Sequence, residues 1–235
     1  MTELLMPLRR IDFMFQMLEL FKEGEYLALM IIVLSRCFVV FCCLPIHELA
    51  HALIATKCGD DTARLKGRLT INPFAHLDII GTIMIFLFGI GYANPVPVNP
   101  ARLKHPRRDM ALVALAGPVS NLLMAFVSVF IYYIILATGS SNVGIIAVAW
   151  FFWYAASVNC TLAVFNFLPI PPLDGAKIFS AILPDKIYFK IMQYDRYIMI
   201  GLMVLLFTGV LSTPIAWLTD LILNLISIIP NLIFG

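Results

Sequence analysis

The sequence has few charged residues, and this scarcity excludes an ordinary soluble domain. Asp, Glu, Lys and Arg make up 13% of its 235 residues, 61% are hydrophobic, and the mean hydropathy is +0.94. Soluble domains typically carry about 25% charged residues. The composition therefore predicts an integral membrane protein, and spans of about 20 residues each leave room for five or six of them.

Cysteine pairs with metal-binding spacing are missing as well. The five cysteines show no C-x-x-C arrangement, and we interpret them as small apolar residues. The basic residues do not indicate nucleic-acid binding, because membrane topology explains their positions. No cleaved signal peptide is expected, since the N-terminus lacks a short apolar core followed by small residues.

Apolar segments divide the chain into an N-terminal interfacial segment, residues 1–25, and one membrane domain, residues 26–235. Residues 26–57 are longer than one span requires and include Arg36, which we expect to reach one membrane surface. Four further segments are predicted to be spans: residues 110–137, 144–168, 197–211 and 214–234.

A shorter apolar segment, residues 79–92, contains three glycines and lies between basic loops. Because both flanks carry the charge typical of one membrane side, we predict a re-entrant hairpin or a tilted pair of short helices. A two-stranded element at residues 63–72 is also expected, and an exposed edge at residues 66–78 is a hypothetical pairing site for substrate. The predicted fold class is an all-α polytopic membrane protein with about five to six transmembrane helices and a short re-entrant or β-like element near the active site.

The pattern H-E-x-x-H occupies residues 47–51, inside one of the most apolar stretches of the chain. Residues four apart share one face of a helix, so His47 and His51 can bind one zinc ion with Glu48 beside it. A catalytic zinc ion normally takes three protein ligands and keeps a fourth position open. One ligand must therefore come from elsewhere in the chain.

Asp174 is the best candidate for that third ligand. It lies in the segment NFLPIPPLDG, residues 166–175, whose three prolines must end the preceding helix. Irregular backbone at membrane depth is tolerated only against protein or a water-filled cavity, which a hydrolytic site requires. In the same segment, Asn166 offers an amide that either contacts substrate or the developing oxyanion, or bonds the broken backbone.

Together these residues predict a zinc-dependent endopeptidase that cuts transmembrane segments of other membrane proteins. In this interpretation Glu48 takes a proton from a zinc-activated water, which attacks the peptide carbonyl, and then donates it to the leaving amine. The alternatives are a catalytically silent zinc-binding scaffold and a metal transporter. A transporter needs ionisable residues along a path through several spans, and the later spans contain very few.

Basic residues predict the orientation of the site. The loops at residues 102–108 and 177–196 carry Lys and Arg, whereas residues 138–143 carry neither. Because basic loops face the cytoplasm, and Lys57 belongs to the same side, we place the site toward the cytoplasmic face of a prokaryotic cell membrane. Five other polar residues are interpreted as structural or solvated: Cys43, His76, Asp78, His105 and Asn121. Of these, Asn121 is expected to satisfy buried backbone rather than to touch substrate.

Five sequence segments share motifs with one family: HELAH (residues 47–51), GRLTINPFAHLDIIG (67–81), YANPVPVNP (92–100), AGPVSN (116–121) and NFLPIPPLDG (166–175). Over most of residues 26–210 the chain resembles the site-2 proteases, intramembrane zinc metalloproteases, in their compact prokaryotic form. The resemblance implies that His47, His51 and Asp174 bind zinc, that Glu48 is the catalytic acid and base, and that Asn166 assists at the substrate. It also implies transmembrane protein substrates. The sequence departs from larger members, which carry a PDZ-like insertion or a nucleotide-sensing domain, so regulation through those modules is not expected.

Overall fold

The computed structural model describes residues 13–88, 90–183, 190 and 193–234, and these residues form helices without any strand. The all-α prediction is therefore confirmed for this part of the chain. Residues 1–12 of the predicted N-terminal interfacial segment, and Lys186 of the basic loop, lie outside the described residues. The α-helices are, in order, α1 (Phe13–Glu23), α2 (Tyr26–Phe38), α3 (Leu44–Lys57), α4 (Thr62–Leu65), α5 (Ile79–Phe88), α6 (Pro106–Ala137), α7 (Val143–Phe167), α8 (Asp174–Ser180), α9 (Asp195–Phe207) and α10 (Ser212–Phe234).

Among the described residues, four helical stretches are long and apolar enough to cross a membrane: Tyr26–Lys57, Pro106–Ala137, Val143–Phe167 and Ser212–Phe234. The first joins α2 and α3 through a π-helical turn, Val39–Cys43, into one continuous stretch that is longer than a single span requires. α9 is a shorter apolar helix and α5 has only 10 residues. These two elements account for the larger number of spans predicted from the sequence.

Residues 61–99 form a hairpin that leaves the C-terminal end of α3 and returns to it. On the return, the Asn99 N–H donates to Asp60 Oδ2 at 2.6 Å, and the Lys104 N–H donates to the Cys58 carbonyl at 3.1 Å. The predicted return of the chain to the side it left agrees with this path. The predicted two-stranded element at residues 63–72 is wrong, because the chain there forms α4 and turns.

Arg36 fixes the far end of this hairpin. Its guanidinium donates a hydrogen bond to the Phe86 carbonyl, near the C-terminal end of α5, and lies 3.6 Å from the sulfur of Met17. The last carbonyls of a helix lack intrahelical donors, so a buried guanidinium is a suitable partner. The expectation that Arg36 reaches a membrane surface is wrong, since the residue is only 1% exposed.

The long helices pack around α6, which contacts α3, α7, α8 and α10. The side chain of Asn142 caps the N-terminus of α7 by accepting hydrogen bonds from Gly144 and Ile145. α7 ends at Phe167 because Leu168 precedes Pro169 and adopts an extended conformation. The chain then turns into α8, whose first residue is Asp174.

Candidate metal centre

The structure brings the three predicted zinc ligands together. Asp174 Oδ2 lies 3.4 Å from His47 Nε2 and 3.1 Å from His51 Nε2, and the two Nε2 atoms are 3.1 Å apart. All three residues are buried. One potential ligand atom from each lies within 4.8 Å of the others, so the group can hold one metal ion.

Helix geometry and a proline-rich turn produce this arrangement. His47 and His51 are four residues apart on α3 and therefore share a face. Asp174 reaches them because the chain reverses between α7 and α8, where Gly175 packs on the end of α7. A Cβ atom at position 175 would lie 2.5 Å from the Phe167 carbonyl oxygen, so this approach requires glycine.

The main chain of α6 orients the His51 ring. His51 Nδ1 lies 2.7 Å from the Val113 carbonyl oxygen, which leaves Nε2 directed at Asp174. A hydrogen bond of this kind fixes the tautomer and orientation of a metal-binding histidine. Gly117 lies one turn further along α6, where a Cβ would be 2.5 Å from Cε1 of both imidazoles. Both rings therefore lie against a surface of α6 that has no side chain.

Glu48 lies beside the ligands and is held by backbone. Its Oε2 accepts a hydrogen bond from the Val96 N–H at 3.0 Å, and the residue is 6% exposed. Glu48, His47 and His51 line one cavity of about 520 Å³. The carboxylate is therefore buried at the edge of this cavity.

The two oxygens of Asp174 face different groups. Oδ2 faces the histidines, whereas Oδ1 lies 3.4 Å from Nζ of Lys177, one turn along α8. A carboxylate held in this way offers one oxygen to a metal and keeps the other on a cation. Lys177 is thus a part of the site that was not predicted from the sequence.

The walls of the cavity are largely apolar. Met84 and Ile90 come from the hairpin, and Met199 and Met203 come from α9. Asn166 also lines the cavity, and its Nδ2 donates to the Leu162 carbonyl at 2.9 Å, which lies within α7. Both roles expected of this amide, contact with substrate and bonding of the broken backbone after α7, stay predictions.

The predictions for Cys43 and Asn121 differ in outcome. Cys43 is buried, and Asn159 Nδ2 lies 3.4 Å from its sulfur, as expected of a packing residue. We predicted that Asn121 satisfies buried backbone, and this is wrong: among the described residues its amide has no hydrogen-bond partner.

The two hairpin residues His76 and Asp78 have the structural roles predicted for them. His76 is fully buried, and its Nε2 lies 2.8 Å from the Thr70 carbonyl oxygen. Asp78 Oδ1 accepts a hydrogen bond from the Gly81 N–H at 2.8 Å, at the start of α5. Both side chains therefore support the path of the hairpin.

Val96, Gly117 and Lys177 are parts of the site that were not predicted from the sequence. Val96 acts through its N–H, which nearly every residue possesses, so no signal existed. Gly117 had a usable signal, because glycine in the middle of a 32-residue helix is unfavourable. Lys177 had a weaker one, since it lies three residues after Asp174 and thus on the same helix face.

The donor set suits zinc. Two imidazole nitrogens and one carboxylate oxygen match the ligands of catalytic zinc sites, which keep one further position open. The hydrogen bond of His51 to Val113 supplies the outer support that such ligands need.

Comparisons with known proteins agree with this geometry. The profile of peptidase family M50 matches residues 36–208, a range that includes the three ligands and Glu48. YwhC of Bacillus subtilis (strain 168) is 43% identical over 173 residues, which cover 73% of this chain and 78% of YwhC. Rip2 of Mycobacterium tuberculosis (strain H37Rv) is 30% identical over 207 residues, which cover 83% of this chain and 76% of Rip2. Both relatives are named as zinc metalloproteases, and no solved structure matches the chain significantly.

Proposed function

Because the chain belongs to peptidase family M50, whose members named above are zinc metalloproteases, we propose that it is an intramembrane endopeptidase. Its substrates are transmembrane segments of other membrane proteins. The observation that carries the proposal is the position of His47, Glu48 and His51. They lie within the 32-residue apolar stretch Tyr26–Lys57 and line an apolar cavity.

His47, His51 and Asp174 would hold the zinc ion. A bound zinc ion supplies Lewis-acid polarisation of a carbonyl and makes water easier to deprotonate. Glu48 is the proton carrier in this proposal. Its Oε2 is held by Val96, so the carboxylate takes a proton from the attacking water and passes it to the leaving amine.

The cavity favours an apolar substrate. Its walls include Met84, Ile90, Met199 and Met203, and such flexible side chains adapt to varied apolar surfaces. Asn166 lines the same cavity, and in this proposal its Oδ1 accepts a hydrogen bond from the main chain of a bound segment. We further propose that the site lies toward the cytoplasmic side, on the argument from basic loops.

The test is cleavage in reconstituted vesicles. Purified wild type and Glu48→Gln are incorporated together with single-span model substrates, and zinc content is measured in parallel. We expect Glu48→Gln to retain zinc and to lose about 10²- to 10⁴-fold in cleavage rate, the range for loss of a general base. Glu23→Gln, at an exposed acid of α1, is the matched control and should match wild type. Equal cleavage by wild type and Glu48→Gln would contradict the proposal, and zinc binding without any cleavage would favour a silent scaffold.

A further inference from the structure

Glu48 depends on a segment that has no regular structure of its own. Residues 94–99 run past it in an irregular conformation, and the Val96 N–H in their middle donates to Glu48 Oε2. Pro95 and Pro97, on either side of Val96, carry no N–H and therefore cannot join a hydrogen-bonded ladder. Other groups must fix where the Val96 N–H points.

The first such group is the guanidinium of Arg68. Its Nη2 lies 2.7 Å from the Asn94 carbonyl oxygen and 3.2 Å from the Pro95 carbonyl oxygen. These are the two residues immediately before Val96. Beside them, the Asn94 N–H donates to the His76 carbonyl at 2.7 Å. The incoming half of the segment is thereby fixed to the first half of the hairpin.

The second group is the carboxylate of Asp60, which is fully buried just beyond the end of α3. Its Oδ2 accepts the Asn99 N–H at 2.6 Å. Its Oδ1 accepts the Thr62 N–H at 3.0 Å and also the Thr62 hydroxyl. A buried carboxylate with this many donors is held firmly, so the outgoing half of the segment is fixed to the helix that carries Glu48.

We propose that Arg68 and Asp60 are positioning residues for Glu48, acting through the backbone of residues 94–99. The inference rests on the proposed function of Glu48. Neither side chain is among the residues that line the cavity. Residues 66–78, for which the sequence suggested an edge that pairs with substrate, form no strand, so neither side chain is placed to touch substrate. Displacing a catalytic group by about 1 Å can cost about 10²-fold in rate, and the two clamps prevent such a displacement.

The experiment compares each clamp with a matched neighbour in the same segment. Arg68→Met and Asp60→Asn remove the clamps. Arg64→Met and Asp61→Asn are the controls, because these two residues pair with each other at 3.5 Å and are largely exposed. For the clamp variants we expect kcat to fall about 10- to 100-fold, the usual range for supporting residues, while KM and zinc content stay at the wild-type values. The controls should match wild type, and Arg68→Lys should retain part of the activity.

A second measurement separates positioning from general loosening of the fold. Glu48→Asp shortens the side chain and withdraws the carboxylate from Val96. If the clamps act through that contact, adding Arg68→Met to Glu48→Asp costs much less than adding it to wild type. If Arg68→Met lowers kcat by the same factor in Glu48→Asp as in wild type, the proposal is overturned. If Asp60→Asn fails to fold, Thr62→Val removes one donor to Asp60 and should give a smaller loss of kcat of the same kind.

The outcomes distinguish this inference from the proposed function. If Glu48→Gln is inactive while Arg68→Met and Asp60→Asn keep the wild-type kcat, the positioning role is overturned and the proposed function stands. If the clamp variants lose zinc instead of kcat, the positioning role is overturned as well. If Glu48→Gln cleaves like wild type, both are overturned.

Discussion

Gly117 lies so close to the imidazole of His51 that a Cβ at position 117 would be 2.5 Å from Cε1 of that ring. One turn away on the same helix, the Val113 carbonyl oxygen lies 2.7 Å from Nδ1 of His51. A glycine and a main-chain oxygen of α6 together determine where this ligand stands. The shape of the metal centre therefore depends on a helix that contributes none of its ligands.

Gly117→Ala should impair zinc binding. The added methyl group meets two imidazoles that cannot move without leaving Asp174, and overpacking of this kind costs about 1 to 3 kcal/mol. We expect zinc affinity to fall about 10- to 100-fold, measured by competition with a chelator. Gly201→Ala is the control, because a Cβ at position 201 of α9 has no atom within 4 Å. Unchanged zinc affinity in Gly117→Ala would contradict the geometry described.

Asp174→Ala should remove the metal more completely. Without the carboxylate, two histidines remain, and catalytic zinc sites normally need three protein ligands. Purified Asp174→Ala should contain little zinc by elemental analysis and should stay inactive when zinc is added. Wild type treated with a chelator should lose activity and recover it with zinc. At a free zinc concentration 1,000 times Kd, the loss of metal costs about 4 kcal/mol of stability, so Tm should fall.

Lys177→Met should weaken zinc binding without abolishing it. The substitution keeps the length of the side chain but removes the ammonium that faces Asp174 Oδ1. We expect about a 10-fold loss of zinc affinity, at the lower end of the range for groups that support a ligand. Lys66→Met, at an exposed lysine of the hairpin, should leave zinc affinity unchanged. Equal affinities in the two variants would show that Lys177 does not support Asp174.

Acidification should reveal the contribution of Asp60 to the stability of the fold. Burial alone would raise the pKa of this carboxyl, but hydrogen bonds from Thr62 and Asn99 outweigh it and hold the pKa below its ordinary value. Such a group contributes stability that is fully present above its unfolded pKa, about 3.9, and is lost as pH falls through the folded pKa. We therefore expect the Tm of wild type to fall more steeply than that of Asp60→Asn below about pH 4. Parallel curves from pH 7 to pH 3 would contradict this.

The sequence predicted those parts of the site that depend on spacing or on chain-breaking residues. His47 and His51 could be predicted because a four-residue interval places them on one helix face. Asp174 could be predicted because the prolines at 169, 171 and 172 end α7 just before it. The return of the hairpin could be predicted because basic residues flank both of its ends.

Interactions that depend on tertiary contact were not predictable in the same way. The partner of Arg36 is a main-chain carbonyl 50 residues away, and a carbonyl has no signature in a sequence. Snorkelling was the reasonable expectation for an arginine in an apolar stretch, yet the end of α5 offered it a partner inside the protein. The strands expected at residues 63–72 failed for a related reason, because the segment makes its backbone hydrogen bonds locally, through turns and α4.

The hairpin of residues 61–99 also determines the direction in which the later helices run. Because it begins and ends at the same end of α3, α6 starts beside that end and runs antiparallel to α3, as the contacts of His51 with Val113 and of His47 with Gly117 require. α7 then brings the chain back, and α8 begins level with the histidines. An insertion that turned the hairpin into one complete crossing of the membrane would reverse the direction of every later helix. Asp174 would then lie at the opposite membrane face, out of reach of His47 and His51.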